Sequence, residues 1–311
     1  MLDVKRMRVL REVAARGSFS GAAEALSYTQ SAVSQQIAAL EREAGTVLVE
    51  RNARGVRLTD AGAALVGHAD AILARLDAAE RELEAIAGLR GGHLRLVAFP
   101  SAGSSIMPLA IAEFRRRHPG VGLTLEPAEP AEAMDALRSG RCDVALSLEA
   151  SFEPFADDAI AKTPLLDDRM LLVLPGDHPL AHKRDLRLED LAEESFIQGA
   201  IGTCPDTAIL LRAASAAGFE PRIAFQSNDY TAIQGFIATG VGVGLIPDLA
   251  LVSVRDDIVI RDLGPQAPFR RIFAATLDGG YQAPAAAAML EILATVGREY
   301  ENGRRKLALA S

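Results

Sequence analysis

The sequence predicts three units in series: a winged helix-turn-helix, a long linker helix and a two-lobed α/β domain. Three observations carry that prediction. Apolar residues recur at helical spacing in three short segments before residue 45, and an arginine-bearing hairpin pattern follows them. A heptad of apolar and small residues then runs from Gly62 to Ile86. Beyond residue 93, short apolar runs alternate with helical segments, the order of an α/β domain.

Composition sets the frame. A chain of 311 residues, 49% hydrophobic and 24% charged, is long enough for two or three packed units and too apolar for a disordered one. The net charge of -8 speaks against nucleic acid until its distribution is considered. Residues 1–60 hold nine basic and seven acidic side chains, a net of +2, and the remainder holds 24 and 34, a net of -10. DNA binding confined to one end fits that division. The start MLDVKRMRVL lacks a signal-peptide core, and no run reaches the roughly 18–20 apolar residues of a membrane span. With two cysteines, the expected location is the cytoplasm.

The first unit, residues 1–58, reads as a groove reader. Val4, Met7, Leu10, Val13 and Ala14 mark a helix over 3–15, which Gly17 breaks. A second helix covers about 20–27, with Ala22, Ala23 and Leu26 inward. Tyr28 and Thr29 make the turn, Thr29 caps a third helix from Gln30 to about Glu43, and Gly45 ends it. On that third helix Val33, Ile37 and Leu40 share the core side. Ser31, Ser34, Gln35, Ala38 and Arg42 lie opposite, small and amide groups suited to base edges. Gln35 is the candidate for direct base contact, and Gln30 and Ser31 sit where free backbone N–H groups meet a phosphate. Val47–Val49 and Val56–Leu58, joined through Asn52–Gly55, form a wing carrying Arg51, Arg54 and Arg57. A solvated hairpin on a protein–protein module is the bland alternative.

Residues 59–88 read as the linker and dimerisation helix. Gly62, Leu65, Ala69, Ile72, Leu76, Ala79, Leu83 and Ile86 step by three and four. Pairing with a second subunit is favoured over packing within the chain, because one reader covers a half-site and a two-fold pair reads a palindrome. Arg90-Gly91-Gly92 forms the hinge.

Residues 91–300 read as a two-lobed α/β effector domain of the periplasmic-binding-protein type, and 301–311 as a flexible tail. Strands are expected at Leu94–Ala98, Val121–Glu126, Cys142–Leu148, Met170–Leu174 and Phe196–Gln198, in parallel sheets covered on both faces. Helices are expected up to about Arg117, and over Glu132–Ser139, Asp206–Ala217, Tyr230–Ala238 and Ala283–Val296. Ligand belongs between the lobes, at the carboxyl ends of strands. Ser101, Gly103, Ser104 and Ser105, at a helix start, suit a carboxylate; Thr203 occupies the matching turn of the second lobe. Ordinary helix caps use the same residue types.

Other chemistries find little support. Gly240-Val241-Gly242-Val243-Gly244 follows a helix, whereas a dinucleotide loop follows a strand. His178 and His182 flank Pro179 without further metal ligands, and no GxSxG, HExxH or CxxC occurs. No enzyme, no metal and no cofactor is expected. Cys204 lies at a helix start, but the only other cysteine, Cys142, is on an apolar strand, which disfavours a redox pair. A solute receptor on the same two-lobed scaffold would need export.

These features together resemble the LysR-type transcriptional regulators. The likeness is densest in FSGAAEALSYTQSAVSQQIAALEREAGTVLVERNARGVRLTDAG, residues 19–62, and continues in FRRRHPGVGLTL, SGRCDVAL and GVGLIP. Val49 stands where many members have phenylalanine. The resemblance implies a homodimer or homotetramer on double-stranded DNA with an interrupted palindrome, a small-molecule effector and RNA polymerase as a further partner. It places Gln30, Ser34 and Gln35 against DNA with the wing arginines, and Ser101, Ser104, Ser105, Thr203 and Gly242 around the effector. The lack of a paired-cysteine loop separates the chain from the peroxide-sensing branch.

Overall fold

A computed structural model describes residues 1–52, 55–86, 92–150, 152–200, 205–279 and 282–310. The reader opens with α1 (Val4–Arg16), α2 (Phe19–Leu26) and α3 (Gln30–Ala44). The local signals act as expected. Asp3 accepts from the amides of Lys5 and Arg6, Ser18 from Gly21 and Thr29 from Ala32. Gly17 and Gly45 close their helices in the left-handed region, at φ 61° and 69°. Met7, Leu10, Val13, Phe19, Val33, Ile37 and Leu40 form one core beneath them.

The wing differs in register from the expectation. Its strands are β1 (Val49–Asn52) and β2 (Gly55–Leu58), antiparallel, with Val49 opposite Leu58. The Glu41 carboxylate on α3 accepts the amides of Leu48 and Val49, at 2.9 and 3.3 Å, where the chain enters β1. The wing is tied to α1 as well, by the Val56 amide donating to the Gly17 carbonyl at 2.9 Å.

α4 (Asp60–Ile86) follows, and its heptad seam is divided. Leu65 and Ala69 are buried in the reader core. Gly62 lies so close to the hairpin base that a Cβ there would sit 2.0 Å from the Leu48 carbonyl oxygen. Leu73 and Ala74 are buried too, and Ala74 lies tightly against Gly140 of the large domain. Ile72, Leu76 and Leu83 remain exposed. Packing within the chain therefore takes the first part of the seam and leaves the later part uncovered. Among the described residues no helix is long and apolar enough to cross a membrane.

The large domain comprises β3 (His93–Ala98), α5 (Pro100–Ser104), α6 (Ile106–Arg117), β4 (Gly122–Pro127), α7 (Pro130–Arg138), β5 (Val144–Ala150), β6 (Ile160–Pro175), β7 (Ser195–Gln198), α8 (Pro205–Ala216), β8 (Arg222–Gln226), α9 (Tyr230–Ala238), β9 (Gly244–Pro247), β10 (Ile258–Arg261), β11 (Phe269–Leu277) and α10 (Pro284–Ala310). Its sheets are mixed rather than parallel. β3 pairs β4 and β5 in parallel, as β7 pairs β8, but β11 runs antiparallel to β5 and β6. β6 is the shared spine. Its first ten residues pair with β11 in lobe I, and its last six with β9 and β10 in lobe II.

Period-two alternation sorts side chains onto the two faces of each sheet. Met170, Leu172 and Leu174 of β6 enter one core of lobe II, and Val173 enters the other. α10 closes lobe I through Met289, Ile292, Leu293 and Val296. It continues to Ala310, so residues 301–310 extend a helix instead of forming the expected tail.

Candidate nucleic-acid interface and interlobe site

α3 presents the two faces that its periodicity requires. Val33, Ile37 and Leu40 are at most 2% exposed, whereas Gln30, Ser31, Gln35, Ala38 and Arg42 are exposed and Ser34 is half-buried. The helix is locked onto α1. The Arg6 Nε donates to Gln36 Oε1 at 3.2 Å, the Arg6 guanidinium pairs with Glu43, and the Asp3 amide donates to the other Glu43 oxygen at 3.1 Å. Gln36 and the last-turn carboxylates Glu41 and Glu43 thus orient α3, and its polar outer face stays open. Arg57 projects from β2 and is exposed. The backbone of Arg51 lies in β1, opposite Val56; its side chain and the whole of Arg54 fall outside the described residues.

Between the lobes lies a second site, whose main element the sequence reading missed. Arg270 on β11 is 2% exposed and bonded on three sides. Its Nε donates to Asp168 of β6 at 2.8 Å, Nη1 to Asp206 of α8 at 3.0 Å, and Nη2 to the Ser101 hydroxyl of α5 at 2.6 Å. Lobe I, the spine strand and lobe II meet at one guanidinium. The Phe99 ring lies 5.3 Å from its central carbon. Asp168 also accepts the Leu249 amide at 3.0 Å, and Tyr230 donates its hydroxyl to Asp206 at 2.5 Å. The Asp206 and Asp168 charges outweigh burial and hold the Arg270 guanidinium above its ordinary range, firmly protonated.

These groups border a cavity of about 30 Å³, lined also by Glu129, Gln198, Ser227 and Asn228. Of the residues expected around an effector, Ser101 lies on it. The Ser104 and Ser105 hydroxyls turn back to the Ser101 carbonyl, at 3.2 and 2.5 Å, and Ser104 is exposed. Gly103 is half-buried with open space around its Cα. Gly242 is buried where a Cβ would meet the Ser195 carbonyl oxygen at 2.4 Å, so it serves the close approach of β7 and the β9 segment. Thr203 and Cys204 fall outside the described residues. α5 has only five residues, and its hydroxyls are already committed to its own backbone or to Arg270.

Arg270 and Asp168 were hard to find because FRRIFAATL and PLLDDRMLL read as charged interruptions. Only the antiparallel pairing of β11 with β6, which sets Arg270 opposite Asp168, brings them together.

The comparisons with known proteins identify two domains in the chain. Residues 4–63 match the bacterial regulatory helix-turn-helix protein model of the lysR family, and residues 87–298 match the LysR substrate binding domain. The chain belongs to the LysR family of transcriptional regulators. It is 32% identical over 294 residues to the probable HTH-type transcriptional regulator LrrA of Synechococcus elongatus, covering 94% of this chain and 96% of that one. A probable hydrogen peroxide-inducible genes activator of Mycobacterium avium is 34% identical over 275 residues, covering 86% and 85%. Full-length CbnR complexed with its target DNA has the same fold, with a TM-score of 0.67 at 23% identity, covering 95% and 100%. This LysR-family chain is thus a transcription regulator with a DNA-binding and an effector-binding domain, not an enzyme.

Proposed function

We propose that this regulator reads an interrupted palindrome as a homo-oligomer and is controlled by a small molecule held between its lobes. The observation that carries the reading is the exposed row Ser31, Gln35, Ala38 and Arg42 on a helix whose opposite side is sealed. Small side chains let such a helix enter a major groove, and the Gln35 amide offers a bidentate partner to a base edge. Gln30, at the first turn, and Ser34 flank it, with Arg51, Arg54 and Arg57 of the wing for phosphate or minor groove.

Ile72, Leu76 and Leu83 support the oligomer. They are 37%, 44% and 66% exposed on one stripe of α4, an apolar surface that a second copy of the helix covers. Two readers joined in this way address two half-sites. Effector control is supported by Arg270, which links lobe I to lobe II through a buried charge network, so ligand and lobe geometry share one set of bonds. RNA polymerase is the partner through which a bound regulator then acts.

Footprinting of the full-length protein on the DNA upstream of its own gene tests the reading. Two protected half-sites in successive major grooves are expected. A single short protected segment, or uniform coverage, contradicts the paired reader.

A further inference from the structure

The charges around the interlobe cavity do not balance. Glu129 and Asp206 border it beside Arg270, and Asp168 holds the same guanidinium from behind. Three carboxylates share one cation. The Arg270 Nε, Nη1 and Nη2 are all engaged. Gln198 adds an independent sign of a ligand. It is 2% exposed, lines the same cavity, and among the described residues its side-chain amide makes no hydrogen bond. A side-chain amide that borders the cavity without a protein partner is available to bond a ligand group there.

We infer that the cleft takes a small organic cation, an amine or guanidine whose protonated nitrogen sits between Glu129 and Asp206 and whose neighbouring polar group meets Gln198. The inference rests on the reading of the cleft as the effector site. A ligand carboxylate entering here meets two like charges. To reach Arg270 it must displace Asp206 and leave that carboxylate buried without its partner. A protonated nitrogen only donates, so it can bond the Glu129 carboxylate and the lone pairs that Arg270 and Tyr230 leave open on Asp206. Burial, then the nearby Asp206 charge, push the Glu129 carboxyl above the ordinary carboxylate range, the direction expected where a counter-cation is missing. The cavity, about 30 Å³, has room for about two waters. An ammonium head group therefore fits between closed lobes, and a larger body parts them.

Thermal unfolding of the full-length protein with methylammonium and agmatine, against acetate and glutarate at constant ionic strength, tests this. The two cations should raise the melting temperature saturably and the two anions should not. Glu129→Gln, on a half-buried side chain, should raise the half-saturating cation concentration at least tenfold while leaving the unliganded melting temperature within a few degrees. Gln198→Leu provides a second variant with the same expected direction. Stabilisation by the anions alone, lost in Gln198→Leu, overturns the cation but keeps the cleft as the effector site. Shifts of either sign of ligand that survive both substitutions remove the cleft reading too, and no shift with any of the four overturns the inference.

Discussion

Arg270 shows how much one side chain can hold. Its guanidinium bonds Asp168, Asp206 and Ser101, from three elements and both lobes. Buried ion pairs add little over an apolar replacement of the whole set, but removing one partner strands the rest. Arg270→Met should therefore cost about 3–5 kcal/mol and lower the melting temperature by about 10 °C. A melting temperature unchanged within two degrees would show that the network is not what joins the lobes. Cys142 is the contrasting case. Burial, foremost, and the Asp143 charge push its thiol up to about 12. At pH 8 it is almost wholly protonated, and thiolate is the reactive form. Iodoacetamide should leave Cys142 unmodified in the folded protein at pH 8 for hours and alkylate it in denaturant; rapid labelling of the folded chain would refute its burial.

Single elements differ in how far their roles could be read from the residues that build them. α3 was legible almost completely, because its period, its Thr29 cap and its Gly45 stop are local signals that tertiary packing did not override. β1 starts two residues later than expected, just after the point where Glu41 accepts the amides of Leu48 and Val49. No local propensity contains that bond. α4 was legible as a helix but not as three surfaces, since a heptad does not reveal which neighbour covers each turn. Its exposed part gives a direct prediction. Leu76→Asp should split the oligomer, raising the dissociation constant at least a hundredfold in sedimentation while the far-ultraviolet spectrum stays unchanged. An oligomer of unaltered strength would move the interface off α4.

Across the molecule, the order of reader, linker and two lobes follows from changes of apolar period along the chain, which is why the sequence carries it. The way the lobes join does not follow from period. β6 serves both lobes and β11 closes lobe I against it, an arrangement made by long-range antiparallel pairing between residues about 100 apart in sequence. The Arg270 network was hidden for the same reason, and of the three serines Ser101 joins it while the Ser104 and Ser105 hydroxyls bond the Ser101 carbonyl. Everything proposed for transcription still passes through the outer face of α3. The affinity ratio between operator and random duplex, measured by competition for the native chain and for Gln35→Ala, examines that face without involving effector or oligomer contacts. The ratio should fall about 10- to 100-fold, equivalent to roughly 1–3 kcal/mol, while binding to random duplex barely changes. A ratio identical in the two proteins would mean that this helix is not what reads the bases.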